Sequence, residues 1–431
     1  MQVFKFGGAS IKDAASIRNV FAILKKYKDE KVVIVVSALD KTTNKLEEIT
    51  NAYFNKQENA HELLDNLKSQ HFNILNELFE EKNHPVFNEI NNSFVEIDWI
   101  LEDLPSDRYD YLYDQIVSVG EMVSTKMVSA YLNHCNLKTQ WMDVRDFVRT
   151  DNTYREGKVF WDVTEKNIAT KIPGLLNDQF VLTQGFLAGT AENYTTTLGR
   201  EGSDYTAAIF GYCLQAESVT IWKDVAGVLN ADPRYFFDAE KFDNLTYHEA
   251  IEMAYYGASV IHPKTIKPLQ NKNIPLYVRS FIHPDEQGTV IGELPPVRDS
   301  GSVKNNMPIL VLKKDQLLFS ITSKDFSFIA EDNLSFIFGV LSQYNVKMNM
   351  MQNAAISFSI CIDRNENLST VIKLLDENFS IKTNGGLDLL TIRHYTESLI
   401  EKYTSGKEIL LEQKSRNTVQ LVMRDLISDQ L

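Results

Sequence analysis

At 431 residues, 44% of them hydrophobic, the chain is long enough for two or three domains with packed cores. Its 44 basic against 58 acidic side chains leave a net charge of −14 with no basic tract, so nucleic acid is not an expected partner and any polyanionic ligand must be held by a few placed cations. Cys135, Cys213 and Cys361 are scattered and form no CxxC pair, which argues against a disulfide framework or zinc site and fits a reducing cytoplasm.

No signal-peptide pattern opens the chain, and the apolar run Val32 to Val36 is far short of a membrane span. From the first residue to about Arg279, short strand-like runs alternate with helical patterns, which predicts an α/β domain with a largely parallel sheet between helix layers. The expected strands are Val3 to Phe6, Val32 to Val36, Lys138 to Met142, Phe180 to Thr183, Val219 to Trp222 and Pro275 to Val278. Val32 to Val36 is apolar on both faces and reads as a central strand. Residues 46–104 carry Leu, Glu, Asn and Lys at helical spacing and no good strand, so they read as a helical excursion covering the sheet.

The stretch 284–308 is rich in Pro, Gly, Asp and Ser and reads as a linker. Beyond it a β-α-β-β pattern occurs twice. The first copy runs from Leu317 through Ile362, the second from Leu387 through Met423, with a helix at Ser369 to Glu377 between them. The expected domains are 1–290 and 309–431, the latter as two α+β modules of about 309–385 and 386–431.

Three stretches carry candidate chemistry. In Val3-Phe-Lys-Phe-Gly-Gly-Ala-Ser10, Lys5 shares a strand face with Val3, and Gly7-Gly8 admits a ligand or second backbone close to the N-terminus of a helix starting near Asp13. That is a phosphate seat with a lysine beside it, although a solvated lysine on an edge strand fits the same residues. In Thr195-Thr-Thr-Leu-Gly-Arg-Glu-Gly-Ser-Asp204, Ser203 is placed to cap a helix from Asp204 to Leu214, and Arg200 offers a planar fork of donors to a carboxylate or phosphate. Asp204 alone is explained by the helix dipole; three hydroxyls, an arginine and an aspartate in one turn exceed what capping requires. Trp222-Lys-Asp-Val to Asp-Pro-Arg234 leaves the end of a strand, where open α/β sheets bind ligands, so Lys223, Asp224 and Arg234 are candidate nucleotide contacts; as a plain turn the Asp-Pro-Arg is ordinary. No GxxxxGK[ST] or GxGxxG occurs.

Read in order, these motifs resemble the aspartate kinases of the amino-acid-kinase superfamily nearly end to end. Lys5 to Ser10 is similar to the KFGGTS opening, Ser37 to Asn44 to the second-strand turn, Gly120 to Ser124 to GExxS, and Gly185-Phe-Leu to GFIG. Thr195 to Asp204 resembles TTLGRGGSD, Trp222 to Arg234 resembles WTDVDGxxxxDPR, and Tyr256 to Pro263 resembles FGAKVLHP. The two C-terminal units resemble ACT modules, which implies a homodimer and a possible amino-acid effector.

The resemblance implies ATP-dependent phosphorylation of the L-aspartate side chain to 4-phospho-L-aspartate, the first step of the lysine, threonine and methionine branch. It implies that Arg200 binds the α-carboxylate and Glu121 the α-amino group, with Thr43, Phe186 and Ser203 completing the pocket. Lys5, Gly7, Gly8 and Ser37 would cradle the β- and γ-phosphates, Lys5 and Asp204 would be catalytic, and Asp224, Leu229, Arg234 and Ser259 would serve the nucleotide. Mg2+ would arrive with ATP, with no separate protein metal site.

The chain departs from the pattern at several points. Ser259 stands where a nucleotide-contacting lysine is usual and Lys223 where threonine is usual, so Lys223 is expected either to supply the lost phosphate or base contact or to sit in solvent. Leu229 replaces a tyrosine, and Glu201 replaces a glycine beside Arg200, where it either tunes Arg200 or faces water. In lysine-sensitive relatives an acid and a Ser-Glu pair receive the effector; the aligned Asn349, Ala354 and Ala355 lack those carboxylates, which predicts weak or absent lysine inhibition. A glutamate, acetylglutamate or uridylate kinase, or a catalytically weak amino-acid sensor on the same fold, are the alternatives. A fused homoserine dehydrogenase is not expected.

Overall fold

The structure is a computed structural model that describes residues 1–105, 107–258, 261–293, 307–325 and 327–426. It divides into two compact units, one of 1–228, 241–251 and 260–296, the other of 229–240, 252–259 and 297–431.

The first unit opens with β1 (Gln2–Phe6), a 3-10 turn and α1 (Ala14–Lys25), whose first turn is closed by the Asp13 carboxylate accepting from the Ser16 N–H. β2 (Val32–Val36) is buried at every residue, as a two-sided apolar run requires. The expected helical excursion over 46–104 is formed by α2 (Thr42–Phe54), α3 (Ala60–Leu78) and α4 (Val86–Glu102), and the long α5 (Tyr109–His134) follows beyond it. The chain then returns to the sheet through β3 (Thr139–Met142), α6 (Trp161–Leu175) and β4 (Phe180–Gln184). A short hairpin, β5 (Leu187–Gly189) with β6 (Thr195–Thr197), leads into α7 (Gly202–Leu214) and β7 (Ser218–Lys223). The remaining elements are β8 (Asn244–Thr246), α8 (Tyr247–Tyr256), α9 (Pro263–Asn271), β9 (Leu276–Ser280) and β10 (Thr289–Gly292).

Eight of these strands form one sheet in the order β3-β4-β2-β1-β7-β9-β10-β8, parallel except where β10 runs against β9. The sheet's core is aliphatic: Ile34 at its centre is fully buried, and its truncation to alanine would cost about 2–5 kcal/mol through lost burial and a cavity. β10 lies inside the stretch read as a linker, so 289–292 is sheet rather than connection; Thr289 is held by Phe242 and Val228 backbone groups. Residues 294–306 of that stretch lie outside the described residues. Among the described residues no helix is long and apolar enough to cross a membrane.

The second unit is built on β11 (Ile309–Ser323), α10 (Glu331–Gln343), β12 (Met348–Asn353), β13 (Ser357–Asp363), α11 (Leu368–Asp376), β14 (Phe379–Arg393), α12 (Glu397–Thr404), β15 (Lys407–Lys414) and β16 (Thr418–Asp425). The two repeats share one antiparallel sheet ordered β12-β13-β11-β14-β16-β15, because β11 and β14 pair along nearly their whole lengths. A boundary drawn at 385 therefore falls within β14. Residues 229–240 and 252–259, which the sequence places with the first domain, group with this unit for visible reasons. Asn230 bonds to Pro308 and Leu310, Phe236 packs edge-on against Tyr403, and Glu252 pairs with the buried Arg393 at 2.6 Å.

Candidate active site

The carboxyl ends of β1, β2 and β7 and the N-terminus of α7 open onto a cavity of about 740 Å3 in the first unit. The register pairs Lys5 with Ile221 and Phe6 with Trp222. Side chains alternate along a strand, so Lys5 and Lys223, two residues beyond Ile221, leave neighbouring strands on the same face. There they meet the first turn of α7. The Lys5 ammonium lies 2.6 Å from Asp204 Oδ1, and that of Lys223 lies 3.7 Å from Oδ2. Burial alone would push the Asp204 carboxyl up, but Lys5 and then Lys223 outweigh it and hold the group below its ordinary value. Lys5 is thus a buried cation with its anion supplied, which removes the solvated-lysine alternative.

Gly8 lines the cavity because its turn passes directly over the end of β2: a Cβ at Gly8 would fall 2.8 Å from the Asp40 carbonyl and 2.9 Å from that of Ala38. Gly7 adjoins the Lys5 ammonium without lining the wall. Ser37 and Ala38 follow β2 on the cavity wall, and α5 is fastened to them by Ser124 Oγ, which donates to the Ser37 carbonyl at 2.7 Å. Glu121, one helical turn before Ser124 and on the same face, accepts from the Ala38 backbone N–H. Glu121 is only 2% exposed, and its Oε2 has no hydrogen-bond partner among the described residues. Burial pushes its carboxyl up to about 8.

The entry to α7 differs from the expectation that Ser203 caps it. The helix begins at Gly202; Glu201 takes the capping position in the left-handed conformation, φ 53°, without a side-chain cap bond. Ser203 and Asp204 are then second and third in the helix, so their side chains face the cavity rather than the backbone turn. Gly202 is required there, since a Cβ would fall 2.6 Å from the Phe186 ring. Phe186 is itself left-handed, φ 69°, with its N–H donated to Thr206 Oγ1 on α7. Arg200 is exposed on the cavity wall and forms no ion pair among the described residues. Glu201 does not face water as one alternative had it: its Oε2 is buried, unpartnered among the described residues, and lines the same cavity.

Thr43 completes the set of expected residues on the wall. Asp224 is exposed in the turn after β7 and is not part of the wall. Leu229 and Arg234 belong to the second unit, where the Arg234 guanidinium donates to both oxygens of Asp232. Ser259 lies outside the described residues.

Sequence reading did not single out Tyr113, Arg155 or Glu156 as wall residues; Thr197 and Asp40, which also line the wall, fall within stretches already singled out. Arg155 is left-handed, φ 65°, with its guanidinium 4.2 Å from the centre of the Tyr113 ring. Its N–H donates to Asp114, which also accepts from the Thr197 N–H and hydroxyl at 3.0 and 2.8 Å. Asp114 is fully buried, and desolvation raises its carboxyl to about 6 despite these bonds. Tyr113 stands eight residues before Glu121 on α5, so helical periodicity from Glu121 was a usable signal for it. Asp114, seven residues before Glu121 on the same helix, carries the same signal, whereas Arg155 carries none. Among the described residues no cluster of three or more His, Cys, Asp or Glu side chains is arranged to hold a metal ion.

The arrangement pairs a lysine-bearing end suited to phosphate with a wall that carries, among the described residues, a guanidinium without an ion pair and a buried carboxyl oxygen without a partner. The model of the amino acid kinase family matches residues 1–280. The chain is 31% identical over 381 residues to lysine-sensitive aspartokinase 3 of Escherichia coli, covering 87% of this chain and 81% of that protein. The crystal structure of E. coli aspartokinase III with aspartate and ADP superposes with a TM-score of 0.82 at 26% identity, covering 98% of this chain and 96% of that one. The same protein with lysine and aspartate gives 0.80 at 26% identity, over 98% and 95%. By sequence and by fold, the chain belongs to the amino acid kinase family and, within it, to the aspartokinases.

Proposed function

We propose that the chain transfers the γ-phosphoryl group of ATP to the side-chain carboxylate of L-aspartate, giving 4-phospho-L-aspartate and ADP. The observation that carries this reading is Glu121. A buried carboxyl oxygen without a partner among the described residues is costly, about 1–3 kcal/mol, and on a cavity wall that also bears the Arg200 guanidinium it fits a ligand with both an ammonium and a carboxylate. An α-amino acid has both.

In this reading Glu121 receives the ammonium, Arg200 the α-carboxylate, and Thr43, Phe186 and Ser203 enclose the rest. The aspartate side chain is directed towards the Lys5 end, where Gly8 and Ser37 on the wall receive the phosphates and Gly7 leaves room beside the Lys5 ammonium. An aspartate carboxylate is ionised at neutral pH, so its attack on phosphorus needs no general base. The protein's contribution is position and charge: Lys5, oriented by Asp204, offsets the charge that builds on the phosphoryl oxygens. Mg2+ would arrive with ATP and supply charge neutralisation on its phosphates, and Asp204, on the wall beside Lys5, is a carboxylate that could face it. Three uncrosslinked cysteines, two of them buried, fit a cytoplasmic setting, and a dimer through the second unit's sheet belongs to the same proposal.

Trapping the acyl phosphate with hydroxylamine in the presence of ATP and, in turn, aspartate, glutamate and acetylglutamate tests it. A hydroxamate from aspartate is expected. Binding of aspartate without turnover would instead favour the sensor reading.

A further inference from the structure

Lys223 and Lys5 each face a different oxygen of one buried carboxylate, that of Asp204. The side chain of Asp204 is 4% exposed, of Lys5 11% and of Lys223 25%, so the three charges lie largely out of water and sum to one positive charge at the wall of the cavity. We propose that Lys223 is a second catalytic lysine, which contacts the transferring γ-phosphoryl group alongside Lys5. This rests on the phosphoryl-transfer reading above.

The backbone dictates the placement. β1 and β7 are parallel neighbours with Lys5 opposite Ile221, so residue 223 is the next position along β7 that projects on the Lys5 face. Lys223 also ends β7, at the carboxyl edge of the sheet where ligands of open α/β folds are bound. A base contact would require the ammonium to point away from the Lys5 and Asp204 end of the cavity. Its position 3.7 Å from Asp204 Oδ2 instead places it at the same end as Lys5. One carboxylate between two lysines orients both while cancelling only one of their charges. The remaining charge matches the transfer step: an aspartate side-chain oxygen forms its bond to the γ-phosphorus as the bond from that phosphorus to the β,γ-bridging oxygen breaks. The electron pair leaves on ADP, no proton changes hands, and negative charge must be offset on both sides of the phosphorus.

The test compares ATP and ADP binding by calorimetry in wild type, Lys223→Met and Lys223→Arg, alongside steady-state rates. A lysine on the γ-phosphoryl group makes a contact that ADP lacks. Lys223→Met should weaken ATP at least about ten-fold and leave ADP within about two-fold, while kcat falls about 100-fold or more and the KM for aspartate stays near wild type. Lys223→Arg, which keeps the charge, should restore part of the preference for ATP. Equal weakening of ATP and ADP would overturn the proposal in favour of a contact to the base or inner phosphates. An unchanged preference in both variants would overturn it in favour of a solvated lysine. Failure of the wild type to bind ATP or turn over aspartate would bring down the underlying reading instead, so the two failures are distinguishable.

Discussion

Glu121 and Ser124 hold the same two-residue turn from one face of α5: Ser124 donates to the Ser37 carbonyl while Glu121 accepts from the Ala38 N–H. This fixes the carboxyl group against the end of β2 on the cavity wall, with its Oε2 buried and without a partner among the described residues. Much of the site's behaviour with pH follows from that oxygen.

Below about pH 8 the Glu121 carboxyl is protonated in the unliganded protein, because burial raises it from an ordinary 4.5. Pairing with a ligand ammonium requires the ionised form, so binding must expel that proton. The value of kcat/KM for aspartate should therefore climb with pH through the neutral range and level off near pH 8. Glu121→Gln should flatten this limb and raise the KM for aspartate about 10- to 100-fold, the equivalent of one charged hydrogen bond of about 1.5–3 kcal/mol. A pH profile of both enzymes measures it.

The same group has a stability consequence of definite sign. Its folded value lies above its unfolded one, so its contribution is fully present below about pH 4.5 and is lost as pH rises through about 8. Without ligand, Glu121→Gln should melt higher than wild type at pH 8.5, and the gap should close on acidification. Thermal melts at several pH values read this directly; a gap that widens on acidification would contradict it.

Asp114 is the acceptor that ties Thr197 on β6 and the left-handed Arg155 to α5. Asp114→Ala leaves two backbone N–H groups and a hydroxyl without their acceptor. The expected loss is about 1–3 kcal/mol of stability, seen as a lower urea midpoint, because the cost of an orphaned buried donor exceeds the net worth of the bond.

Lysine should inhibit weakly or not at all. Asn349 has no carboxylate, and both ends of its amide are already engaged, with Lys313 Nζ donating to Oδ1 and Nδ2 donating to Gln316, each at 2.7 Å. Ala354 and Ala355 add no charge. Rate measurements against rising lysine test this, and half-maximal inhibition well below a millimolar would contradict it.

How much of this was legible in the sequence depended on whether the signal was local. The run Val32 to Val36 could only be a two-sided buried strand, and the alternation after it placed the sheet and the helical excursion correctly. The motif residues Lys5, Thr43, Glu121, Phe186, Arg200, Ser203 and Asp204 do reach one cavity. Arg155 was illegible because a left-handed arginine held by a buried aspartate 41 residues away is a tertiary fact. The start of α7 was misjudged because Ser203 is a good capping residue by propensity, whereas the left-handed turn at Glu201 starts the helix at Gly202. The linker reading failed for β10 for a similar reason: Gly288 and Thr289 look like a loop, yet a turn at φ 44° and the Thr289 hydroxyl bonded to Phe242 set a strand onto the sheet.

In the proposed reaction one cavity holds two ligands by different cations, an amino acid on Arg200 and a nucleotide phosphate on Lys5. Steady-state kinetics of Arg200→Ala with both substrates varied tests it most directly. The KM for aspartate should rise about 100-fold, as expected for loss of a bidentate charged contact, while the KM for ATP stays within about two-fold. An unchanged KM for aspartate, or an equal rise for both substrates, would contradict the account.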